Sequence, residues 1–558
     1  MNGPAPSGPD PVIIAGAGPV GLALALALAR HEVPTLVVDE GSGVCPEGSR
    51  STVLRADTVG FLRRIGYERV AADGRGWTGW RTLRRGRELL SVELEQDDVL
   101  HLAQHRLLRG LRDAVSATPL VELLPECAVT DVEQHAGEEA VRVRTERTWL
   151  RGSYLVGCDG PRSTVRKRLA LRFPGRAAAD HYALATIRAD LPFPGEARLH
   201  RDPPRAPGAP GAREVIARPL PDSVWRLDWR LPPRAPALTP DQLVDQLRST
   251  LAAWNGGAVP GYELISNADY VVQQRLATRF QVGRVFLAGD AAHVLGSLGM
   301  QNIDEGLRDA DNLAWKLALV WHGCAPDRLL TTYQQERRGA VIARLRAVDQ
   351  AMPLLQPSTP LLEVRRSLLS GSLRRNAELL SDGSLGTGRL GGAPAYPGRA
   401  RPGLTRALAP TSPGVLVPDF PVVTADGAVD RLRARLGRGF LVVLVAPGTG
   451  VWASEHWLGA GLMPQLTEAT EALPLPAELL VTEDYPGAAA HTVLLIRPDG
   501  HLVAAVQGCR PEDLYDLADR ARNTAAELPV PRAGGTDRGA ERGPREAPTG
   551  RPTVPASD

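Results

Sequence analysis

The chain has 558 residues, of which 43% are hydrophobic, and a formal net charge of +2 at pH 7. This length accommodates two or three domains, and the near-neutral charge gives no global field that would favour nucleic acid or an anionic membrane as a partner. Only two of the 65 basic residues are lysines, Lys167 and Lys316, so an arginine at a given position is weak evidence for a function.

The cysteines and the N-terminal residues bear on the cellular setting. The five cysteines are odd in number and form no C-x-x-C pair: Cys45, Cys127, Cys158, Cys324 and Cys509. This pattern disfavours a zinc site or a disulfide framework, so we predict no metal and a reducing, cytoplasmic environment. The first ten residues lack the features of a signal peptide. No apolar run is long enough for a membrane span, so we expect no membrane partner.

A glycine motif follows the first apolar segment. Residues 12–15 (VIIA) predict a buried parallel strand. Gly16, Gly18 and Gly21 follow with the spacing that allows a tight turn, a close approach to a pyrophosphate and close packing of the next helix. Residues 20–30 have high helix propensity, and the N-terminus of that helix offers free N–H groups to phosphates.

An acidic residue ends the next predicted strand. Residues 35–38 are mostly apolar, and Asp39 follows them 18 positions after Gly21. A carboxylate about there contacts a ribose hydroxyl in dinucleotide-binding folds; Glu40 is the adjacent alternative. Together these features predict a dinucleotide site. The competing interpretation is a glycine-rich turn in an unrelated α/β domain.

Composition and periodicity divide the chain into segments. We expect disorder at both ends, over residues 1–10 and 527–558. A domain built around the glycine motif is predicted from three stretches: 11–75, 101–178 and 276–381. A sheet-rich region is predicted over 76–100 and 179–275, a Gly/Pro-rich linker over 382–415, and a separate α/β segment over 416–521.

Two further motifs identify the kind of dinucleotide. Residues 157–166 read GCDGPRSTVR and residues 283–293 read GRVFLAGDAAH. In this order with the glycine motif, they resemble those of the FAD-dependent aromatic hydroxylases, the single-component flavoprotein monooxygenases related to p-hydroxybenzoate hydroxylase. Within that family the chain is most similar to 3-(3-hydroxyphenyl)propionate hydroxylase and the polyketide-ring hydroxylases. The resemblance is strong over residues 11–350 and weak over 416–521.

The resemblance implies a fold and an activity. The fold would be α/β: a Rossmann-like FAD-binding domain, an inserted sheet-rich substrate domain and a C-terminal thioredoxin-like domain, with a homodimer as the expected assembly. Cys509 is the only cysteine in that last domain, so dithiol exchange is not expected. The activity would be hydroxylation of a small phenolic or polycyclic aromatic substrate with NAD(P)H and O₂, through a flavin C4a-hydroperoxide. Alternatives are a Baeyer–Villiger-type or non-oxygenating flavin enzyme and a non-catalytic FAD-binding protein.

The resemblance also assigns cofactor-binding residues. Asp290 would contact the ribityl chain, and the backbone amides of Ile303 and Asp304 would face the N1/C2=O edge of the flavin. A carboxylate at a strand end suits sugar or ribityl hydroxyls, which also favours Asp39 for the adenosine ribose. The remaining predicted FAD residues are Gly16, Gly18, Pro19, Gly21, Glu40, Arg50, Gln104, Val129, Asp159 and Gly299.

The chain departs from the family pattern beside the flavin. In residues 297–305, Met300 and Asn302 stand where relatives have glycines, and Asp304 stands where they have asparagine. We consider three roles for the carboxylates of Asp304 and Glu305: lowering the flavin potential, accepting a hydrogen bond from flavin N3–H, or facing solvent. We expect flavin to bind, but with a redox tuning or a movement that differs from that in the relatives.

The catalytic and substrate residues are less well specified. His293 is a candidate acid or base, but a structural histidine is the favoured interpretation. Tyr182, Trp225 and Trp229 are candidate substrate contacts because aromatic faces suit an aromatic ligand. Such side chains lie more often in the core.

Overall fold

The structure is a computed structural model. It describes residues 9–43, 47, 50–95, 98–135, 137–203, 212–232, 235–296, 302–355, 372–386, 388, 390–397, 409–448, 461–508 and 510–524. Five features named above lie outside these residues: residues 1–8 of the N-terminal segment, Gly299 within residues 297–301, Cys45, Cys509 and the tail over 527–558. No helix among the residues described is long and apolar enough to cross a membrane.

The strands, in chain order, have the following bounds. They are β1 Val12–Ala15, β2 Thr35–Val38, β3 Ser51–Arg55, β4 Arg75–Gly76, β5 Gly79–Arg84, β6 Arg87–Glu93, β7 Val99–Ala103, β8 Val121–Leu124, β9 Val129–Glu133, β10 Val141–Thr145, β11 Trp149–Gly152, β12 Tyr154–Gly157, β13 Gly175–Ala189, β14 Glu196–Arg201, β15 Glu214–Pro219, β16 Val224–Arg230, β17 Tyr262–Leu276, β18 Gln281–Val282, β19 Val285–Leu287, β20 His293–Leu295, β21 Pro421–Thr424, β22 Val429–Arg431, β23 Phe440–Val445, β24 Ala477–Thr482, β25 Thr492–Ile496 and β26 Leu502–Gln507.

The helices complete the list of elements. They are α1 Pro19–Arg30, α2 Ala56–Arg64, α3 Val70–Asp73, α4 Gln104–Ser116, α5 Thr164–Arg168, α6 Pro240–Trp254, α7 Asn302–Trp321, α8 Thr331–Tyr333, α9 Gly339–Leu355, α10 Ser372–Leu385, α11 Leu432–Arg435, α12 Met463–Glu471 and α13 Pro511–Ala521. A π-helical turn, Gln334–Arg338, joins α8 to α9.

The first large sheet carries the glycine motif. Its strand order is β18-β19-β12-β1-β2-β8, with β1 pairing in parallel with both β2 and β12. All four residues of β1 are buried, as expected for a central parallel strand. The Ala/Leu-rich helix α1 is buried on nearly every side. The carboxyl ends of β1, β2, β12 and β19 therefore meet at one edge, where ligands bind in open α/β sheets.

The second large sheet has eight strands in the order β20-β17-β13-β16-β15-β14-β5-β6. The segment over 76–100 contributes β5 and β6 to it, and the GDAAH motif contributes β20. One face packs on α6, through residues that include Leu227 and Leu247. The other face turns toward β3 and carries Arg226 and Asp228, of which Arg226 donates to Ser51 of β3.

The C-terminal segment forms a mixed sheet, order β22-β21-β24-β23-β25-β26. Every residue of β23 and β25 is buried, and β25 and β26 form a hairpin around Asp499. The predicted linker over 382–415 differs from the structure at its start. Helix α10 continues to Leu385, and Leu385 and Leu390 are buried against the eight-stranded sheet.

A buried ion-pair cluster ties this C-terminal sheet to α7 and the π-helical turn. The Arg497 guanidinium donates to both oxygens of Glu336 at 3.0 and 2.9 Å and to both oxygens of Asp499 at 3.0 and 2.6 Å. Lys316 of α7 donates to Glu336 at 2.7 Å. Burial acts to raise the pKa of Glu336, but Arg497 and Lys316 outweigh it and lower this pKa to about 2.

Replacing Arg497 should destabilise the protein strongly. Arg497→Met leaves the carboxylates of Glu336 and Asp499 buried without their bidentate partner, which we expect to cost about 3–5 kcal/mol of unfolding free energy at pH 7. Arg520→Met is the matched control, because Arg520 pairs with Asp516 at a partly exposed (i,i+4) position and should cost less than about 1 kcal/mol. Chemical denaturation at pH 7 measures both, and equal losses would contradict this assignment.

The pH dependence of the same cluster has a defined sign. The pKa of Glu336 falls from 4.5 to about 2 on folding, so its contribution is complete above the unfolded value and is lost as pH falls toward 2. The difference in unfolding free energy between the unmodified protein and the Arg497→Met variant should therefore shrink on acidification below about pH 4. A constant difference across that range, measured by the same denaturation, would contradict the pairing.

Candidate functional site

The glycine motif adopts the geometry of a pyrophosphate loop. Gly16 has a φ of +108°, which favours glycine. A Cβ on Gly21 would lie 2.0 Å from the Gly16 carbonyl oxygen, because the first turn of α1 packs directly on the loop. A Cβ on Gly18 would meet no atom within 4 Å. Gly18 therefore borders open space at the N-terminus of α1, whose first turn begins with Pro19, and this space fits a pyrophosphate.

Asp39 is bonded to the glycine loop itself. Its carboxylate accepts hydrogen bonds from the backbone N–H groups of Ala17 at 2.6 Å and Gly41 at 2.8 Å. An ionised carboxylate has about four acceptor sites, so both oxygens can still accept from a sugar hydroxyl. Glu40 is exposed beside it. Cys127 N–H donates to the Asp39 carbonyl at 2.7 Å, which brings the start of β9, and with it Val129, close to Asp39. We call the region from the glycine loop to the start of α7 the groove, so Asp39 and Val129 lie at its glycine-loop end.

Asp159 supplies a buried acceptor without a protein partner. Its Oδ2 accepts from the backbone N–H of Val165 at 3.0 Å. Its Oδ1 is buried and has no hydrogen-bond partner among the described residues. Buried polar atoms are normally paired. This orphaned oxygen, next to the loop at Gly16, is therefore an observation in favour of a bound polar ligand.

Arg50, Gln104 and Asp290 come together at the other end of the groove. Antiparallel pairing of β3 with β7 brings Gln104 to Arg50, and the Gln104 backbone N–H donates to the Arg50 carbonyl at 2.9 Å. Asp290 makes no hydrogen bond to another described side chain. Burial raises its pKa, and the neighbouring His293 and Arg50 oppose that rise. The donor and acceptor set of this groove fits a cofactor with phosphates and hydroxyls.

Helix α7 begins at Asn302, and the two acids of its first turn, Asp304 and Glu305, are buried in the protein. Asp304 is fully buried; it pairs with Arg55 at 3.1 Å and accepts from the Thr58 hydroxyl at 2.5 Å. Glu305 is also buried, and Arg337 and Arg344 contact it at 2.6 and 2.7 Å. Solvent exposure of these carboxylates is therefore excluded. The backbone of Ile303 and Asp304 remains at the N-terminal end of the helix.

His293 has a structural environment. Its Nε2 lies 2.7 Å from Asp309 of α7, its ring stacks on Phe280, and it is completely buried. Asp309 also accepts from the Gly289 N–H at 2.9 Å and from Arg337 at 2.7 Å. Burial acts to raise the pKa of Asp309, but His293 and Arg337 outweigh it and lower the pKa. These contacts correct the catalytic hypothesis for His293: it orders the GDAAH turn against α7.

The predicted substrate aromatics divide between the two faces of the eight-stranded sheet. Trp225 and Trp229 face α6, and the Trp229 indole N–H donates to Thr250 of that helix at 3.1 Å. Both are nearly or fully buried, which corrects their prediction as substrate contacts. Tyr182 is on the opposite face, where it stacks on Tyr270 with ring centroids 5.2 Å apart.

Asp228, which the sequence did not predict as a site residue, precedes Trp229 directly on the same strand. Asp228 accepts from Arg226 at 2.8 and 2.9 Å, from Arg218 at 2.7 Å and from the Tyr270 hydroxyl at 3.0 Å. Side chains alternate between faces, so the charged cluster lies on the face opposite the tryptophans, where Arg226 contacts Ser51 of β3. The alternation in residues 224–230 was the available signal.

A cleft of about 470 Å³ separates that face of the sheet from β3 and α4. On one side its lining includes Arg50, Ser51 and Ala103, and on the other Thr186, Val224 and Ser266. Because Arg50 also acts on Asp290, the cleft adjoins the end of the groove that fits a cofactor. A ligand in the cleft would lie next to that cofactor.

Comparison with known proteins identifies the class. A family profile described as "FAD binding domain" matches residues 10–348, more than half of the chain. The chain therefore belongs to this family of FAD-dependent flavoproteins, the one that contains the aromatic and polyketide hydroxylases.

The individual relatives include one named as a synthase and others named as a hydroxylase or a monooxygenase. The dialkyldecalin synthase of Streptomyces rugosporus is 30% identical over 84% of this chain and 94% of its own. The 6-methylpretetramide 4-monooxygenase of Streptomyces rimosus is 32% identical over 90% and 92%. The 3-(3-hydroxy-phenyl)propionate/3-hydroxycinnamic acid hydroxylase of Shigella sonnei is 32% identical over 59% of each chain. Among solved structures, OxyS anhydrotetracycline hydroxylase from S. rimosus aligns with a TM-score of 0.65 and 27% identity over 92% of this chain and 98% of that one.

Two alanine substitutions in the glycine loop should separate ligand contact from packing. Gly18→Ala places its Cβ in open space, so we expect an unchanged apoprotein unfolding midpoint and FAD affinity lowered about tenfold, equivalent to about 1.4 kcal/mol. Gly21→Ala collides with the Gly16 carbonyl and should lower the unfolding free energy by about 1–3 kcal/mol. Thermal unfolding of the apoprotein and flavin-fluorescence titration measure both effects. Unimpaired FAD binding by Gly18→Ala would exclude this loop as the pyrophosphate site.

Proposed function

We propose that this protein is a monooxygenase that uses FAD, NAD(P)H and O₂ to hydroxylate a phenolic or polycyclic aromatic substrate. The observation that carries the proposal is the adjacency of the cofactor groove and the cleft of about 470 Å³, which share Arg50. The relative named 6-methylpretetramide 4-monooxygenase, similar over nearly its whole length, supports the reaction class.

In this proposal the groove binds FAD in an extended form. The loop over Gly16 and Gly18 holds the pyrophosphate, Asp39 with Glu40 beside it holds the adenosine ribose, and Asp290 holds the ribityl chain. Val129 would lie by the adenine, Asp159 would use its orphaned oxygen, and Arg50 and Gln104 would flank the flavin end. The backbone amides of Ile303 and Asp304 would face the flavin N1/C2=O edge.

The chemistry that bound FAD supplies is hydride acceptance from NAD(P)H and activation of O₂.

The chain's own contribution is to position the aromatic ring and to limit its access to water. The cleft has an apolar side that includes Leu220, Pro221 and Val224, which suits the body of an aromatic ligand. The charged cluster around Asp228 is buried behind it. Two arginines there face one carboxylate, so its excess positive charge favours a substrate that develops negative charge on oxygen.

The C-terminal sheet has a separate proposed role. We propose that residues 416–521 form a thioredoxin-like domain with a structural or homodimer-contact role, which the absence of a C-x-x-C pair from the sequence supports. Light scattering of the purified protein tests the dimer.

A second candidate function is formation of a carbocyclic ring. It is favoured by the relative named dialkyldecalin synthase, which matches 84% of this chain. A ring closure alone leaves the elemental composition of the substrate unchanged, whereas hydroxylation adds one oxygen atom. Product mass therefore distinguishes the two.

The test of the proposed function is a screen of the FAD-loaded protein against phenols and polycyclic aromatics. We expect NADPH or NADH oxidation to accelerate about tenfold or more with a suitable substrate, because reduction and substrate binding share one site. With ¹⁸O₂, the product should gain one labelled oxygen with the ring retained. A lactone product would indicate Baeyer–Villiger chemistry. An isomeric product without NAD(P)H oxidation would support ring formation, and the absence of both reactions across the panel would contradict catalysis.

A further inference from the structure

Ser51 and His101 form a hydrogen-bonded pair at the wall of the cleft. The Ser51 Oγ lies 2.8 Å from His101 Nε2, because β3 and β7 are antiparallel neighbours with Ser51 and His101 two positions apart in register. The other ring nitrogen, Nδ1, lies 2.9 Å from the Pro219 carbonyl oxygen. His101 is completely buried, whereas Ser51 lines the cleft.

The carbonyl of Pro219 fixes the direction of these bonds. A carbonyl oxygen can only accept, so Nδ1 carries a proton and donates to it. Burial, helped by the charges of Arg218 and Arg226, lowers the pKa of His101 to about 3 against the opposing effects of the Pro219 bond and Asp228. A neutral imidazole with a protonated Nδ1 has an accepting Nε2. The Ser51 hydroxyl must therefore donate its only proton to His101.

Ser51 is left as an acceptor. A hydroxyl has one donor and two acceptor lone pairs. Arg226 Nη1 donates to the Ser51 oxygen at 3.3 Å, which uses one lone pair with a long bond. Among the residues that the structure describes, no further donor contacts this oxygen, so its second lone pair remains available in the cleft that Ser51 lines.

The surroundings of this oxygen suit an aromatic ring. A β-bulge in β17 leaves Ile265 without a partner on β13: Ser266 pairs with Thr186 and Leu264 with Ile187. Bulges near functional sites re-aim side chains. Here Ile265 is 44% exposed and lines the cleft together with Leu220 and Val224. These apolar side chains share the cleft with Ser51 and with charged residues such as Arg109 and Arg188, so a ligand with an apolar body and a polar substituent fits the lining.

We propose that Ser51 is a specificity-determining residue that accepts a hydrogen bond from a phenolic or enolic O–H of the substrate, with His101 as the positioning residue that keeps the serine proton turned away from the cleft. This assignment rests on the proposed function, because it takes the cleft to be the substrate site. It requires a substrate that enters the cleft as a neutral hydrogen-bond donor, and it disfavours the corresponding aryl methyl ether.

The test compares two probes that differ in one hydrogen-bond donor, 4-fluorophenol and 4-fluoroanisole, titrated into the FAD-loaded protein and followed by ¹⁹F NMR. We expect the phenol to bind about fivefold more tightly, the value of one hydrogen bond of about 1 kcal/mol. Ser51→Ala should reduce this ratio to about one, and Ser51→Thr, which keeps the hydroxyl, should restore it. Ser91→Ala, on the exposed part of β6, is the matched control and should leave the ratio unchanged.

Every other outcome counts against the proposal. A ratio near one in the unmodified protein, a ratio that survives Ser51→Ala, or the absence of any phenol binding would overturn it. If Ser51→Ala does not fold, Ser51→Cys keeps the shape with a weaker acceptor and must lower the ratio. A loss of FAD affinity in Ser51→Ala with an unchanged ratio would assign the hydroxyl to the flavin instead.

This binding readout is independent of turnover. A protein that discriminates the two probes through Ser51 but hydroxylates nothing would contradict the proposed function and leave this assignment intact. A protein that hydroxylates phenols, but whose binding ratio is unchanged in Ser51→Ala, would support the proposed function and overturn the assignment of Ser51.

Discussion

The structure depends on the burial of helix α7 against α1. A Cβ added to Gly306 would lie 2.5 Å from the Val20 side chain and 3.2 Å from the Gly289 backbone, so the two helices and the GDAAH turn meet with no room between them. This packing places Asp304, Glu305 and Asp309 in the interior. Buried carboxylates are costly unless paired, and the chain pairs them with basic side chains from distant segments.

Those pairings join the functional region to the rest of the molecule. Asp304 binds Arg55 at the end of β3, Asp309 holds His293, and Arg337 bridges Asp309 to Glu305. Strand β3 therefore begins at Ser51, which lines the cleft, and ends at Arg55, which pairs with Asp304 of α7. A second cluster around Arg497 fixes the C-terminal sheet to the same helix. Acids in the first turn are also favoured by the helix dipole, so the N-terminal end of α7 is held by charge as well as by packing.

Local patterns in the sequence predicted the backbone of the site well. The spacing of Gly16, Gly18 and Gly21 encodes a turn, an opening and a close contact within six positions, and the structure has each of them. The ion pairs could not be predicted, because Asp304 and Arg55 are 249 positions apart and no local pattern links them. The face on which Trp229 lies depends on which side α6 covers, so its aromatic character alone gave the wrong side of the sheet. The Ser51–His101 pair could not be predicted either, because it arises from the pairing of β3 with β7.

The central claim is that the groove from the glycine loop to the start of α7 binds FAD, with its flavin end next to the cleft. The most direct measurement is an experimental structure of the FAD-loaded protein. We expect the pyrophosphate at Gly18, the Asp290 carboxylate at hydrogen-bond distance from a ribityl hydroxyl, and the flavin ring between Arg50 and the N-terminus of α7. FAD bound elsewhere, or a flavin ring turned away from the cleft, would contradict it.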